Sequence, residues 1–450
     1  MNITVKLIAI ILVLITIVSG AFVGCNPVQP DVKETPEASS QPSSPETPGE
    51  SPENTTEETP SVKPTETEKE EEPEPIKSDF EIYQSNTVCA TGNNSVLKSA
   101  DGKTVTKTFR GIFKAQQSGE LEYKLYFSNN VDSTWAGGAD SYRGMTTKPY
   151  TIISARAIGS SKKAESGELT NPVEITFGGS ASKDVAPGET FWCDPFMLDV
   201  PENGNIIFEW TVAYTMIPST KVNNTYIALE KNSSTGRFGM VQEAPLPDLV
   251  GCNRGNAIRL AFWGDSITMG EGAGSASYEF WAAQITDRLG TNVSTWNLGL
   301  GYARADDAVN SPSWIEKAKQ NDVVIICFGV NDINSGSYNL GLRSADQVLN
   351  DISKLAKACA DAGCEIIIFS TPPYTYSKSD KIKTWASLTQ KLENLAESKG
   401  YKFFDFAACL GTSDDMSIPA YGGHPNAAGC KVVAEAFMKA VVEDNLIEDR

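Results

Sequence analysis

The stretch AIRLAFWGDSIT, residues 257–268, is an apolar run of strand length that leads directly into Gly264, Asp265 and Ser266. Gly264 allows a tight turn, and the turn would leave the Ser266 hydroxyl exposed beside the backbone amides that open the next segment. A serine in this position is a candidate nucleophile. On spacing alone, a helix N-cap or turn serine explains it equally well.

After Asn256, apolar runs of strand length alternate with helical periodicity. The candidate strands are residues 257–263, 293–298, 322–328, 365–370 and 402–406. Between the third and fourth, apolar residues from Ala345 to Cys359 recur at 3- and 4-residue spacing, as on one face of a helix. This alternation predicts an α/β domain over residues 251–450, with a mostly parallel sheet covered on both faces. Active sites of such sheets lie beyond the carboxyl ends of the strands.

Three further motifs follow predicted strands or lie in loops. Gly299 lies in the segment NLGLG, residues 297–301, Asn331 lies in GVND, residues 329–332, and His424 lies in YGGHPN, residues 421–426. His424 is the chain's one histidine, so it alone has an unperturbed pKa suited to proton transfer near neutral pH. Taken singly, each residue is better explained as an ordinary loop residue.

Together and in this order, the four motifs resemble the SGNH (GDSL-type) hydrolase superfamily, over about residues 257–445. The resemblance implies a three-layer, flavodoxin-like α/β fold and ester hydrolysis. It implies that Ser266 is the nucleophile and that His424 takes its proton and returns it to the leaving alcohol. The backbone amides of Ser266 and Gly299 and the side-chain amide of Asn331 would form the oxyanion hole.

One position departs from the family pattern. The family usually has an aspartate three residues before the histidine, to orient the imidazole, and this chain has Tyr421 there. Three explanations are open: Asp414 or Asp415 reaches His424, a backbone carbonyl accepts its Nδ1 proton, or catalysis is impaired. Some members of the superfamily work as Ser-His dyads, so we expect activity. Asp265 and Asp332 are expected to hold loops.

Residues 79–250 carry repeated strand signals separated by Gly-, Asn-, Ser- and Pro-rich connections, which predict an all-β sandwich. Motifs such as Arg110-Gly111 and LYFSN, residues 125–129, resemble a jelly-roll-like β-domain that accompanies some bacterial SGNH esterases. The resemblance implies that the domain binds a polymer or forms one wall of the cleft. Four aromatic residues are candidate sugar-stacking faces, although sandwich aromatics usually belong to the core: Trp135, Tyr142, Trp192 and Trp210.

The N-terminal segment, residues 1–25, has the pattern of an export signal: Lys6, then an apolar run, then Cys25. Residues 22–25, FVGC, resemble a bacterial lipobox, which implies lipid attachment at Cys25. A retained transmembrane anchor is the alternative. Residues 26–78 consist mostly of Pro, Glu, Thr and Ser and predict a disordered tether. Both alternatives predict an extracellular protein anchored at the cell surface.

Composition excludes several partners. The net charge is −19, and the tether alone has 14 acidic against four basic residues, so the globular part is mildly acidic. Without a Lys/Arg-rich stretch, we expect no nucleic acid partner. With one histidine and no C-x-x-C pair, we expect no metal, and nothing indicates another cofactor. Eight cysteines remain beyond Cys25, and no pairing is assigned.

These observations predict a cofactor-free serine esterase, held at the bacterial surface by a lipid, that removes acetyl or similar small acyl groups from carbohydrate. A lipase or lysophospholipase is the alternative enzyme. A catalytically silent carbohydrate-binding surface protein is the alternative from a different class.

Overall fold

The computed structural model describes residues 77–133, 143–221, 225–255, 257–334, 343–374, 376, 379–411, 419–421 and 423–447. The expected signal segment and most of the expected tether lie outside the described residues. Contacts group Glu74–Arg450 into one compact unit, which contains both predicted domains. No helix of the described residues is long and apolar enough to cross a lipid bilayer.

The N-terminal domain is built from antiparallel strands preceded by a short helix. These elements are α1 (Asp79–Ile82), β1 (Tyr83–Ser85), β2 (Ser95–Lys98), β3 (Val105–Lys114), β4 (Gly119–Ser128), β5 (Asn130–Val131), β6 (Met145–Thr146), β7 (Tyr150–Ser160), β8 (Val173–Ile175), β9 (Lys183–Val185), β10 (Thr190–Trp192), β11 (Phe196–Val200), β12 (Asn205–Tyr214), β13 (Met216–Lys221), β14 (Ile227–Lys231), β15 (Phe238–Met240), β16 (Glu243–Ala244) and β17 (Leu249–Asn253).

Two main sheets of this domain pack face to face. One has the order β1-β17-β4-β10, with β11 also paired to β4, and the other has the order β15-β14-β3-β12-β7-β8, with β9 paired to β7. Alternate residues of both sheets enter one core, for example Phe109 and Phe208 from one sheet and Tyr123 and Phe127 from the other. This is the β-rich sandwich that the strand pattern predicts.

The C-terminal domain alternates strands and helices. Its elements are β18 (Ile258–Gly264), α2 (Ser266–Met269), α3 (Trp281–Leu289), β19 (Val293–Asn297), α4 (Ala305–Val309), α5 (Pro312–Ala318), β20 (Val323–Cys327), α6 (Val330–Asn334), α7 (Ala345–Ala360), β21 (Glu365–Phe369), α8 (Ser379–Lys399), β22 (Lys402–Phe404), α9 (Phe406–Leu410), β23 (Pro419–Tyr421), β24 (His424–Pro425) and α10 (Ala427–Glu443).

The central sheet has the order β19-β18-β20-β21-β22 and all of its pairs are parallel. In chain order this is 2-1-3-4-5, the flavodoxin-like arrangement. Residues such as Trp263 and Ile326 face α7 and α8, whereas their neighbours Phe262 and Ile325 face α3 and α10. Helices therefore cover both faces of the sheet, which gives three layers. The order in which strands are added to the sheet reverses at β18, because β19 lies on one side of it and β20 on the other.

The sheet that contains β4 and β17 is covered on both faces. Tyr126 and Leu249 point away from the sandwich core and belong to the apolar cluster of the C-terminal domain, with Trp296. The Trp296 indole donates to the carbonyl of Asp248, and the Ser294 hydroxyl donates to that of Ser85. The boundary expected at residues 250/251 falls within β17, whose backbone pairs with both β1 and β4.

Candidate active site

Ser266 lies at the carboxyl end of β18, the strand at which the chain order of the sheet reverses. The Asp265 carboxylate accepts a hydrogen bond from the Ile267 amide at 2.9 Å and so caps the four-residue helix α2. A Cβ at Gly264 would lie 2.4 Å from the carbonyl oxygen of Cys327, so only glycine permits this turn beside β20. Ser266 is the first residue of the helix, and its amide therefore has no intrahelical acceptor.

His424 reaches the same edge from the C-terminal part of the chain. It lies on the short strand β24, and Tyr421 is its backbone partner on β23. Asn426 then caps α10 by accepting a hydrogen bond from the Gly429 amide. The imidazole is buried and meets the Tyr374 ring edge to face, with the ring centroids 5.8 Å apart.

The structure brings the two predicted reactive atoms together. The distance between Ser266 Oγ and His424 Nε2 is 2.8 Å, which is hydrogen-bond contact between residues 158 positions apart in the chain. This is the contact that a hydroxyl nucleophile and its general base require. The two candidate orienting acids, Asp414 and Asp415, lie outside the described residues.

The backbone amide of Gly299, which the resemblance assigns to the oxyanion hole, is engaged within its own loop. It donates to the side-chain oxygen of Asn297 at 2.9 Å. A Cβ at this position would lie 2.3 Å from the Met269 amide nitrogen. The glycine is needed instead because the backbone after β19 packs directly against α2.

The turn at residues 300–303 lies next to the nucleophile. The Leu300 amide donates to the carbonyl of Gly264, and the Ala303 amide closes the turn on the carbonyl of Leu300. Tyr302 has φ of 62°, a left-handed conformation that favours glycine. Such strain often marks a functional site. Gly301, the last residue of the motif NLGLG, lies in this turn, and no signal in the sequence indicates a role for it.

Asn331 is attached to the same turn. The Asn331 side-chain amide donates a hydrogen bond to the carbonyl oxygen of Ala303, with Nδ2 and the oxygen 3.0 Å apart. The next residue, Asp332, accepts hydrogen bonds from the Ala305 amide and from Arg343. Burial raises the pKa of Asp332 to about 6, and Arg343 opposes that rise. The contacts of Asp332 fix the loops around Asn331.

Asp265 lies in a less polar environment than Asp332. Its Oδ2 atom is buried and has no hydrogen-bond partner among the described residues. Burial raises the pKa of this carboxyl to about 7, whereas the bond from the Ile267 amide lowers it. The residue that positions Ser266 is therefore a carboxyl that titrates near neutral pH. Among the described residues, no group of three or more His, Cys, Asp and Glu side chains is arranged to hold a metal ion.

The N-terminal domain reaches the nucleophile helix. A Cβ at Gly270, directly after α2, would lie 2.8 Å from the Thr225 methyl carbon of the sandwich. The candidate sugar-stacking tryptophans are packed instead: Trp210 is in the sandwich core, and Trp192 is half-buried against Phe80. The other two aromatic candidates, Trp135 and Tyr142, lie outside the described residues.

Sequence comparison identifies the C-terminal domain. Residues 262–432 match the model of the GDSL-like Lipase/Acylhydrolase family, so the chain contains a domain of that family. An acetylxylan esterase of Xylanibacter ruminicola is 26% identical over 210 residues, which cover 41% of this chain and 43% of that relative. The match thus spans less than half the length of this curated relative.

Solved structures give weaker matches. A member of the lipolytic protein G-D-S-L family from Veillonella parvula is 20% identical, with a TM-score of 0.36, and the match covers 42% of this chain and 100% of that one. A carbohydrate acetylesterase from Sinorhizobium meliloti is 20% identical, with a TM-score of 0.33, and the match covers 41% of this chain and 98% of that one.

Proposed function

We propose that the protein is a serine esterase that hydrolyses acetyl or similar small acyl esters of carbohydrate. The contact between Ser266 Oγ and His424 Nε2 carries this proposal. It is the pairing that acyl transfer requires, and it lies at the sheet edge where ligands of such folds bind. The family of the C-terminal domain supports the reaction class.

In the proposed reaction, Ser266 Oγ attacks the ester carbonyl carbon while His424 Nε2 accepts the hydroxyl proton. The tetrahedral intermediate then collapses, and the imidazolium donates that proton to the departing alcohol oxygen. Water attacks the acyl-enzyme in the second half, with His424 again accepting a proton. The acid is released and Ser266 regains its proton.

We place the oxyanion donors on three segments around Ser266. The Ser266 amide belongs to the first helical turn and has no intrahelical acceptor. The Gly299 amide is engaged by Asn297, so we assign the second segment's donors to the backbone amides of Gly301 and Tyr302. The bond from the Leu300 amide to the Gly264 carbonyl holds this turn next to Ser266. Asn331, attached to the same turn through Ala303, supplies the side-chain donor. Loss of one such donor typically costs about 10²–10³ in rate.

The carbohydrate part of the proposal has separate support. The curated relative is named an acetylxylan esterase, although the match spans only part of it. The sandwich contributes Thr225 beside α2, which favours a role as one wall of the cleft. The packing of Trp192 and Trp210 removes two of the four candidate sugar platforms.

We also propose that the protein is exported and held at the cell surface by lipid on Cys25. The apolar segment before Cys25 and the Pro/Glu/Thr/Ser-rich tether after it support this location. Cells fed a radiolabelled fatty acid should label the full-length protein, and Cys25→Ala should abolish the label. Equal labelling of both proteins would contradict lipid attachment at this residue.

The catalytic proposal is tested with short-chain nitrophenyl esters. The purified full-length protein should hydrolyse nitrophenyl acetate, and Ser266→Ala should lower kcat by about 10⁴-fold or more. Ser275→Ala is the matched control, because this exposed serine lies on the nearby loop, and its activity should equal that of the parent. An inactive parent with intact fold would favour the binding protein over the enzyme.

Substrate competition then decides between the two enzymes. Release of acetate from acetylated xylan, with little hydrolysis of nitrophenyl palmitate, is the expected result. Preference for the long acyl chain would favour the lipase alternative.

A further inference from the structure

The connection between α7 and β21 has a specific backbone geometry. The Cys364 amide donates to the carbonyl of Cys359 at 3.1 Å, and the Gly363 amide donates to that of Ala360 at 3.0 Å. Gly363 has φ of 92°. This pair of bonds around a left-handed glycine is a Schellman motif, in which Cys359 is the third residue before the cap and Cys364 follows the glycine.

The two cysteines of this motif are neighbours in the fold. In a Schellman motif, the side chains at these two positions commonly meet, usually as an apolar contact. Here both residues are buried, and each thiol shifts the pKa of the other, raising that of Cys359 and lowering that of Cys364. The Cys364 thiol also donates to the carbonyl of Lys319, with the two atoms 3.7 Å apart. The backbone bond between the two residues brings their main chains close together, as a disulfide requires.

Three of the other cysteines donate to backbone carbonyls. Cys89 and Cys430 donate to the backbone carbonyls of Thr225 and Pro425. Cys409 donates to the carbonyl of Asp405 on its own helical turn. Burial raises the pKa values of all three thiols, to about 11 or 12, which makes each a poor nucleophile near neutral pH.

We propose that Cys359 and Cys364, both thiols in this structure, are a disulfide-forming pair that is oxidised when the protein matures outside the cytoplasm. One thiolate attacks an external disulfide, forms a mixed disulfide and releases one thiol. The second thiolate then attacks the protein sulfur of that mixed disulfide and releases the other thiol. The pair loses two protons and two electrons, and the external disulfide becomes two thiols.

The bond would stabilise the fold without contacting the site. Cys364 lies at the amino end of β21, whereas Ser266 follows the carboxyl end of β18, at the opposite edge of the same parallel sheet. Closing the loop of residues 359–364 restricts the unfolded chain, so the oxidised protein should be the more stable form. The disulfide rests on the proposed export of the protein and is independent of the proposed esterase activity.

Peptide mass measurement tests the pair directly. Full-length protein, exported by a bacterial host and purified without reductant, is incubated with oxidised glutathione and alkylated in denaturant. The tryptic peptide of residues 358–378 contains both cysteines and has no internal Lys or Arg. After oxidation, this peptide should carry no alkyl group and be two hydrogens lighter than the same peptide with two free thiols. Reduction before alkylation should add two alkyl groups to it. Alkylation as complete as that of Cys409 would overturn the proposal.

Thermal unfolding provides an independent readout. Reductant should lower the melting temperature of the oxidised parent by a few degrees and leave that of Cys364→Ala unchanged. Cys409→Ala, the control, should keep the sensitivity of the parent. An equal effect of reductant on the parent and on Cys364→Ala would count against the disulfide.

Discussion

Lys317 connects the two domains through buried charges. Its ammonium, near the end of α5, lies 2.6 Å from Asp132 Oδ2 and also contacts Asp248, and both carboxylates belong to the sandwich. The three side chains are at most 2% exposed. Asp132 also accepts a hydrogen bond from the Ser313 hydroxyl, and Asp248 accepts one from the Ser128 amide.

Lys317→Met keeps most of the apolar stem and removes the charge, so two buried carboxylates lose their shared cation. Removing one partner of a buried ion pair typically costs about 3–5 kcal/mol. Burial already raises the pKa of Asp248 to about 7, although Lys317 opposes that rise. Without the ammonium, this carboxyl should take up a proton near neutral pH. That uptake limits the loss, so we expect about 3 kcal/mol.

Urea unfolding of parent and variant at two pH values measures this loss. In the variant, the folded-state pKa of the carboxyl lies well above its unfolded value, so the folded state binds the extra proton. Stability of the variant should therefore fall as pH rises through that interval. The difference between parent and variant should be larger at pH 7.5 than at pH 5.

Lys319→Met is the matched control. Lys319 follows the same helix, but its partner Glu316 is 63% exposed and their ion pair is at the surface. The control should lose less than about 1 kcal/mol. Adding Asp132→Asn and Asp248→Asn to Lys317→Met should restore much of the lost stability, because no charge is then left buried. A loss in Lys317→Met as small as in the control would refute the electrostatic argument.

Three further predictions concern the candidate site. Gly299→Ala should lower both stability and kcat, because its Cβ would displace the Met269 backbone of the nucleophile helix; urea unfolding and nitrophenyl acetate hydrolysis measure the two effects, and a parent-like variant would contradict the close approach. Tyr302→Gly keeps the turn amide and removes the strained φ, so kcat should stay within a few-fold of the parent; a loss of 10²-fold would mean that the ring itself acts. Asp265→Asn removes a carboxyl whose pKa is raised from 3.8 to about 7. The folded parent therefore holds a proton that the unfolded chain releases, and its stability falls as pH rises through this interval. In urea unfolding, the stability of the variant relative to the parent should increase between pH 5 and pH 8.

The sequence predicted the elements of the fold well, because each has a strong local pattern. The expected strand at residues 322–328 is Val323–Cys327, and the expected helix face from Ala345 to Cys359 lies on α7. The end of a continuous apolar run or of a regular helical stripe marks the end of the element. The alternation of strands and helices predicts the mostly parallel sheet, whereas the flavodoxin-like arrangement was expected from the family resemblance.

The sequence was less informative about the directions of backbone amides. The motif NLGLG, residues 297–301, correctly places a glycine near Ser266, but the side chain of Asn297 takes the Gly299 amide. Such a bond depends on the path of the chain after the strand, which composition does not specify. The same limit applies to Lys317, whose partner Asp132 lies 185 residues away and gives no local signal.

The predicted sandwich and the catalytic domain are closely packed in the structure, and the nucleophile helix depends on both. Helix α2 has four residues, far too few to be stable alone, so its neighbours must position Ser266. The Asn297 side chain donates to the carbonyl of Thr268, the Trp281 indole donates to that of Ile267, and Thr225 of the sandwich packs against the residue after the helix. Because one of these supports comes from the sandwich, which is itself tied down by buried charges, removing it should disturb the nucleophile as well as the stability of the fold.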